Sequence, residues 1–265
     1  MNRGGGGVVS EILTEFIELN GEPCRIWRKG AGATLVFFPG HGGMPKWIPF
    51  LDRLAESFDV VVPSLPGFQG SGGLRTQDHH MDWVLAARDL IDCADIGHNA
   101  LLAGSGPGAS MAAEVAALWP DTVARLALIS PWGLFDEADP SADPWSVKAA
   151  DMGALMCADP TRWEDFRTAP DGANSVEWPI EQTRALEASA RIFWPLGDTR
   201  LSRRLGRIKC PTLYIRGAAD RVIPASYADK FRSGISGEVT IKTIADAGHL
   251  AELDRPTEAA KMITG

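Results

Sequence analysis

The chain has 265 residues, of which 45% are hydrophobic and 23% are charged. This length can bury a sizeable core, either as one large domain or as a domain that carries an insertion. The 26 basic and 34 acidic residues give a net charge of −8, which disfavours nucleic acids and anionic membranes as partners because both select a basic face. No apolar run reaches the roughly 18 residues that a membrane span requires.

The N-terminus and the cysteines indicate where the protein resides. The N-terminus lacks the basic-then-apolar pattern of a signal peptide. The four cysteines are far apart and show neither disulfide-framework nor zinc-site spacing. We therefore expect a cytoplasmic protein without a metal.

The first half of the chain predicts a β-hairpin followed by alternating strands and helices. Residues 11–19 and 23–28 alternate apolar and polar side chains on either side of Asn20-Gly21, which is typical of a hairpin. Apolar runs then predict strands at 34–38, 60–62, 100–103 and 123–130. Helical spacing predicts helices near 47–54, 81–91 and 108–119. This alternation predicts an α/β fold with a mostly parallel, doubly wound sheet.

The strand pattern disappears between residues 131 and 208. This stretch carries five of the nine tryptophans, namely Trp132, Trp145, Trp163, Trp178 and Trp194. The alternation resumes with strands at 212–216 and 239–244. We therefore predict a core domain formed by 1–130 and 209–265, and a helical lid formed by 131–208.

Four loops follow strands of the predicted parallel sheet and carry chemically suggestive residues. They contain His41, Ser105, Asp220 and His249. In open parallel sheets, ligands bind beyond the carboxyl ends of the strands. These four residues are therefore the candidates for a common site.

The chain order Ser105, Asp220, His249 at these strand ends resembles the α/β-hydrolase fold, and residues 60–68 and 211–217 are typical of its lidded branch. That branch includes esterases, carbon–carbon bond hydrolases and epoxide hydrolases. The resemblance implies that Ser105 is the nucleophile, that His249 is the general base and that Asp220 orients the imidazole. It also implies that the backbone amide of His41 contributes to an oxyanion hole.

Two registers of the family's elbow pattern, Gly-x-nucleophile-x-Gly, fit the sequence. In one register Ser105 is the nucleophile and the Gly106 amide is the second oxyanion donor. In the other register Gly104 and Gly108 match both glycines, so Gly106 stands at the nucleophile position and Pro107 offers no N–H. The apolar positions of the next helix lie at the distances from the corner residue that the family pattern requires when that residue is Gly106. With Ser105 as the corner residue, the same pattern would turn Glu114 inward as an uncompensated charge, so the helix favours the second register.

Three functions follow from these alternatives. The first is a cofactor-free hydrolase that cleaves an ester, a lactone or a carbon–carbon bond of a small apolar molecule. The second is an enzyme without a nucleophile, in which the His249–Asp220 pair is a base for lyase, cyclase or oxygenase-type chemistry. The third is a non-catalytic ligand receptor. Trp132, Phe135 and Trp194 are the candidate pocket residues, and they favour an aromatic substrate.

Overall fold

The computed structural model describes residues 9–94, 96, 99–195 and 197–265. The described strands form one eight-stranded sheet in the order β1-β2-β4-β3-β5-β6-β7-β8. Pairing is antiparallel for β1 with β2 and for β2 with β4, and parallel for all other neighbours. The predicted fold class is confirmed. The strands are β1 (Val9–Leu19), β2 (Glu22–Gly30), β3 (Thr34–Phe38), β4 (Asp59–Pro63), β5 (Ala100–Ser105), β6 (Val123–Ile129), β7 (Thr212–Gly217) and β8 (Val239–Ile244).

The predicted hairpin is present and is joined by a two-residue turn. Asn20 and Gly21 have φ angles of +54° and +82°. Two consecutive left-handed residues match the twist of antiparallel strands, which is why Asn-Gly is favoured here. Leu19 consequently pairs with Glu22 across the turn.

Helices flank the sheet and connect its parallel strands. They are α1 (Pro49–Ala55), α2 (His80–Cys93), α3 (Gly106–Leu118), α4 (Met152–Met156), α5 (Pro160–Arg167), α6 (Glu177–Phe193), α7 (Ser226–Gly234), α8 (Ala251–Asp254) and α9 (Pro256–Thr264). The core is centred on β3, β4 and β5, whose residues are almost all buried. Among the described helices, none combines the length and apolar composition needed to cross a membrane.

Residues 131–208 lie between β6 and β7, and we call them the cap segment. Its described residues form α4, α5, α6 and several short 3₁₀ turns, without a strand. The helix α6 carries an apolar face, with Ala185, Ala188, Ile192 and Phe193 buried. The role of this segment as a separate lid domain remains a prediction.

The helix α3 is buried on all sides and packs against β3, β5 and β6. Glu114 points inward from it and has no exposed surface. Two hydrogen bonds of 2.6 Å from the Arg204 guanidinium reach the two carboxylate oxygens, and the Thr199 hydroxyl donates a third. The expectation that a buried Glu114 would lack compensation is therefore wrong, because the cap segment supplies the opposite charge. Burial of Glu114 does not distinguish the two elbow registers.

Removal of Arg204 tests this ion pair. We expect Arg204→Ala to lower the free energy of unfolding by about 3 kcal/mol, because it leaves a buried carboxylate unpaired. The double variant Glu114→Gln/Arg204→Met is the matched control and should recover much of that loss. Urea denaturation measures both. A change within about 0.5 kcal/mol for Arg204→Ala, as is usual for surface substitutions, would contradict this account.

Candidate active site

The turn between β5 and α3 brings two backbones into near contact. A Cβ atom at Gly104 would lie 2.4 Å from the carbonyl carbon of Gly108, and one at Gly108 would lie 2.1 Å from the carbonyl oxygen of Phe38. Both positions therefore require glycine. Gly106 stands midway between them with a φ of +47°, in the left-handed region. The structure thus has the register in which Gly104 and Gly108 are the two glycines and Gly106 is the corner residue.

Gly106 faces the imidazole of His249, and Ser105 does not. A Cβ atom at Gly106 would lie 3.0 Å from His249 Nε2. Ser105 is fully buried on the other side of the turn, where its Oγ lies 3.3 Å from the position of a Cβ atom at Gly40. Among the described residues, Ser105 Oγ finds no partner for a hydrogen bond of ordinary geometry. This contradicts the register in which Ser105 is the nucleophile.

The oxyanion-hole assignment of Gly106 changes for the same reason. In the family pattern, the second donor is the amide that follows the corner residue. Here that residue is Pro107, which has no N–H. The Gly106 amide is the second oxyanion donor only if Ser105 is the nucleophile, so the assignment of Gly106 to the oxyanion hole is wrong as well.

Asp220 and His249 lie together as the sequence predicts. His249 Nδ1 is 3.2 Å from each carboxylate oxygen of Asp220, and both side chains are at most 1% exposed. Backbone amides of Val222 and Ile223 donate to Asp220 Oδ1 at 2.9 and 3.0 Å. Burial raises the pKa of Asp220, but the attraction of His249 and these hydrogen bonds outweigh it, so the net pKa is lowered. An ionised Asp220 therefore holds a proton on His249 Nδ1.

Trp132 completes the surroundings of His249. Its indole Nε1 donates to His249 Nε2 at 2.9 Å, and its backbone amide donates to the Gly106 carbonyl at 3.2 Å. Because the indole N–H is only a donor, His249 Nε2 is the acceptor and the ring is the neutral Nδ1–H tautomer. The sequence indicated Trp132 as a pocket residue. The hydrogen bond from its indole to His249 depends on the side-chain rotamer of Trp132, which the local sequence pattern does not specify.

His41 lies inside an aromatic cluster beside this group. Its ring stacks on Trp132 at 5.9 Å and on Trp163 at 6.3 Å, and it meets Trp145 edge-on at 5.7 Å. Burial lowers the pKa of His41 to about 3, with further lowering by His249 and Arg167, so the ring is neutral at pH 7. Its side chain is thus part of the aromatic cluster around Trp132, a placement that the sequence left open.

The space on one side of Trp132 is largely filled by side chains. A cavity of 30 Å³ is lined there by Trp132, Phe135 and Trp145 among others, which is room for little more than one water molecule. Phe135 thus lies beside Trp132, and its role in a substrate pocket stays a prediction. Trp194 is 61% exposed, so its assignment to the pocket is wrong. It follows the end of α6 and projects towards solvent.

Two buried ionisable groups near the site were not found from the sequence. Arg167 Nη1 is buried, has no hydrogen-bond partner within the residues that the structure describes, and lies 3.1 Å from the position of a Cβ atom at Gly42. Burial lowers the pKa of Arg167 to about 10. Glu252 follows His249 by three residues and is 4% exposed. Burial raises the pKa of Glu252 to about 7, against a smaller opposing effect of the Ser105 hydroxyl. Both were missed because charged residues are usually exposed.

The raised pKa of Glu252 predicts a pH dependence of stability. Since the folded pKa, about 7, lies above the ordinary value of 4.5, the native state binds the proton more tightly than the unfolded state. The contribution of Glu252 to stability is therefore fully present below pH 4.5 and is lost as the pH rises through 7, by up to about 3 kcal/mol. Glu252→Gln should remove this dependence and be more stable than the wild type at pH 8.

Urea denaturation of the two proteins at pH 5 and pH 8 measures this difference. Glu258→Gln, a substitution on the exposed side of α9, is the matched control and should leave the wild-type pH dependence unchanged. Equal pH profiles for the wild type and Glu252→Gln would contradict the assignment.

Comparisons with known proteins identify the family of this chain. Residues 35–262 match the Alpha/beta hydrolase family. The chain is 28% identical over 254 residues to the dihydrolipoyllysine-residue acetyltransferase component of the acetoin cleaving system of Cupriavidus necator, with 92% of this chain and 66% of that protein covered. It thus spans slightly less than two thirds of that relative.

Two further proteins are similar over nearly their full length. The strigolactone esterase of Arabidopsis thaliana is 25% identical over 256 residues, with 88% of this chain and 92% of the esterase covered. The solved structure of 2-hydroxy-6-oxo-6-phenylhexa-2,4-dienoate hydrolase from a Rhodococcus strain has a TM-score of 0.75 at 21% identity, covering 96% of this chain and 97% of that one. This last similarity shows the fold.

Proposed function

Because this chain belongs to the Alpha/beta hydrolase family, we propose that it is an enzyme of that family that works without a covalent intermediate. The observation that carries the proposal is the pairing of an intact His249–Asp220 dyad with a glycine at the corner. His249 Nε2 faces a position at which the chain has no side chain to attack a substrate. The dyad is then a general base with no nucleophile of its own to activate.

The proposed step is a proton transfer. A substrate C–H or O–H, or a water molecule beside Gly106, loses its proton to Nε2 of the neutral His249. The electron pair stays on the substrate or on the hydroxide, and the imidazolium is stabilised by the ionised Asp220 at 3.2 Å. Reprotonation of the product by the imidazolium restores the resting state.

The turn disfavours acyl transfer, which the Ser-His-Asp hypothesis requires. A tetrahedral oxyanion needs two or more aligned donors, and Pro107 removes one of them. The His41 amide alone remains from the expected pair. The aromatic walls of His41, Trp132 and Trp145 suit a small, largely apolar aromatic substrate. A cytoplasmic location and independence of cofactors remain predictions from the sequence.

The receptor hypothesis is less well supported than general-base catalysis. A receptor needs neither a buried carboxylate nor an oriented imidazole, and burying such a pair costs free energy. Discovery of a tight ligand that the protein never converts would favour the receptor.

Labelling with a fluorophosphonate tests the absence of a covalent nucleophile. We expect no adduct on Ser105 in the folded protein, because its hydroxyl is buried and does not reach His249. Intact-protein mass spectrometry with peptide mapping provides the measurement, and a known serine esterase is the positive control. A stoichiometric adduct on Ser105 would restore the first hypothesis.

Kemp elimination of 5-nitrobenzisoxazole tests the base directly, because the reaction requires only removal of one C–H proton. We expect His249→Ala to lower the rate by about a hundredfold, within the usual contribution of general-base catalysis. Ser105→Ala is the matched control and should stay within about twofold of the wild type. A rate independent of His249, or lost in Ser105→Ala, would refute the proposed function.

A further inference from the structure

The indole of Trp132 occupies the volume in which a side chain at position 106 would extend. A Cβ atom at Gly106 would lie 3.5 Å from Trp132 Nε1. The same nitrogen donates to His249 Nε2 at 2.9 Å. The group that the base faces in this structure is therefore a planar aromatic N–H donor from the chain itself.

The contacts of this indole are those of a ligand in a pocket. Its ring stacks on the neutral ring of His41 at 5.9 Å with an interplanar angle of 24°. It meets the rings of Trp145 and Phe193 edge-on at 5.5 and 5.4 Å, with interplanar angles of 89° and 82°. These are favourable aromatic geometries. Three walls and one hydrogen-bond acceptor thus define a slot that fits a flat bicyclic ring.

We propose that the substrate is a planar aromatic molecule with an N–H or O–H donor, and that it takes the place of the Trp132 indole. This rests on the proposed function, because an O–H donor in this place presents the proton that His249 would remove. The adjoining cavity of 30 Å³ is too small for such a molecule. The substrate therefore displaces the indole instead of binding beside it.

The requirement for a donor follows from the burial of His249. The His249 side chain has no exposed surface and Trp132 is only 4% exposed, so a ring that fills the place of the indole shields Nε2 from bulk water as the indole does. An unpaired buried acceptor costs about 1–3 kcal/mol. A ring of the same shape that carries an acceptor in place of the donor suffers that cost and binds more weakly.

A Trp132→Ala variant opens the slot and makes the inference testable with indole and benzofuran. The two molecules have nearly the same shape, but benzofuran has an oxygen where indole has its N–H. We expect indole to bind at least about tenfold more tightly than benzofuran and to raise the melting temperature. Isothermal titration calorimetry and thermal unfolding provide the measurements, with circular dichroism to verify the fold.

Two further variants show that the preference arises from His249. Trp145→Ala is the matched control, because it removes an indole of the same cluster whose Nε1 has no hydrogen-bond partner. The cavity that Trp145→Ala leaves should bind indole and benzofuran with similar affinity. In the double variant Trp132→Ala/His249→Ala, the preference for indole should also disappear.

If Trp132→Ala does not fold, Trp132→Phe retains an aromatic wall while removing the N–H, and the same preference for indole is expected. Equal affinity for both molecules in a folded Trp132 variant, or binding of neither, overturns the inference. The elimination assay on the wild type is independent of these titrations. A selective slot without His249-dependent elimination would therefore refute the proposed function and leave the binding site standing.

Discussion

The start of α3 lies in close backbone contact with the ends of β5 and β3, and this contact fixes the geometry of the site. A Cβ atom at Gly104 would lie 2.4 Å from the Gly108 backbone, and one at Gly108 would lie 2.1 Å from the Phe38 carbonyl oxygen, so a larger residue at either position would push α3 away from the sheet. The two glycines consequently determine which residue stands at the corner, and that residue is Gly106. A side chain one position earlier in the strand points to the opposite side, where Ser105 is buried beside Gly40.

The geometry at this corner separates two parts of the machinery that serine hydrolases use together. The proposed base and its carboxylate are in place, with His249 held in a single tautomer by Asp220 and Trp132. The nucleophile and the following amide are absent, because the chain has Gly106 and Pro107 at these positions. Proton transfer needs only the first part, whereas acyl transfer needs both.

The surroundings of His249 contain buried groups whose hydrogen-bonding capacity is unused. In the part of the chain that the structure describes, His41 Nδ1 and Arg167 Nη1 have no hydrogen-bond partner. Such groups cost stability, and native proteins retain few of them outside functional sites. The cap segment supplies Arg167 and the indoles of Trp132 and Trp163, so the chemical character of the pocket depends on residues outside the sheet.

The α/β architecture, the hairpin turn at Asn20-Gly21 and the proximity of Asp220 and His249 could be predicted from the sequence. They follow from the periodicity of apolar residues, from turn chemistry and from the rule that parallel strands end at a common edge, which are local or topological properties. The folded structure was needed to choose between Ser105 and Gly106, since both registers satisfy the local pattern and differ by one residue in the contact of strand and helix. It also decided that Arg204 compensates Glu114, that Trp194 is exposed and that Trp132 binds the base. These outcomes depend on which distant side chains meet in space, and spacing along the chain carries no information about that.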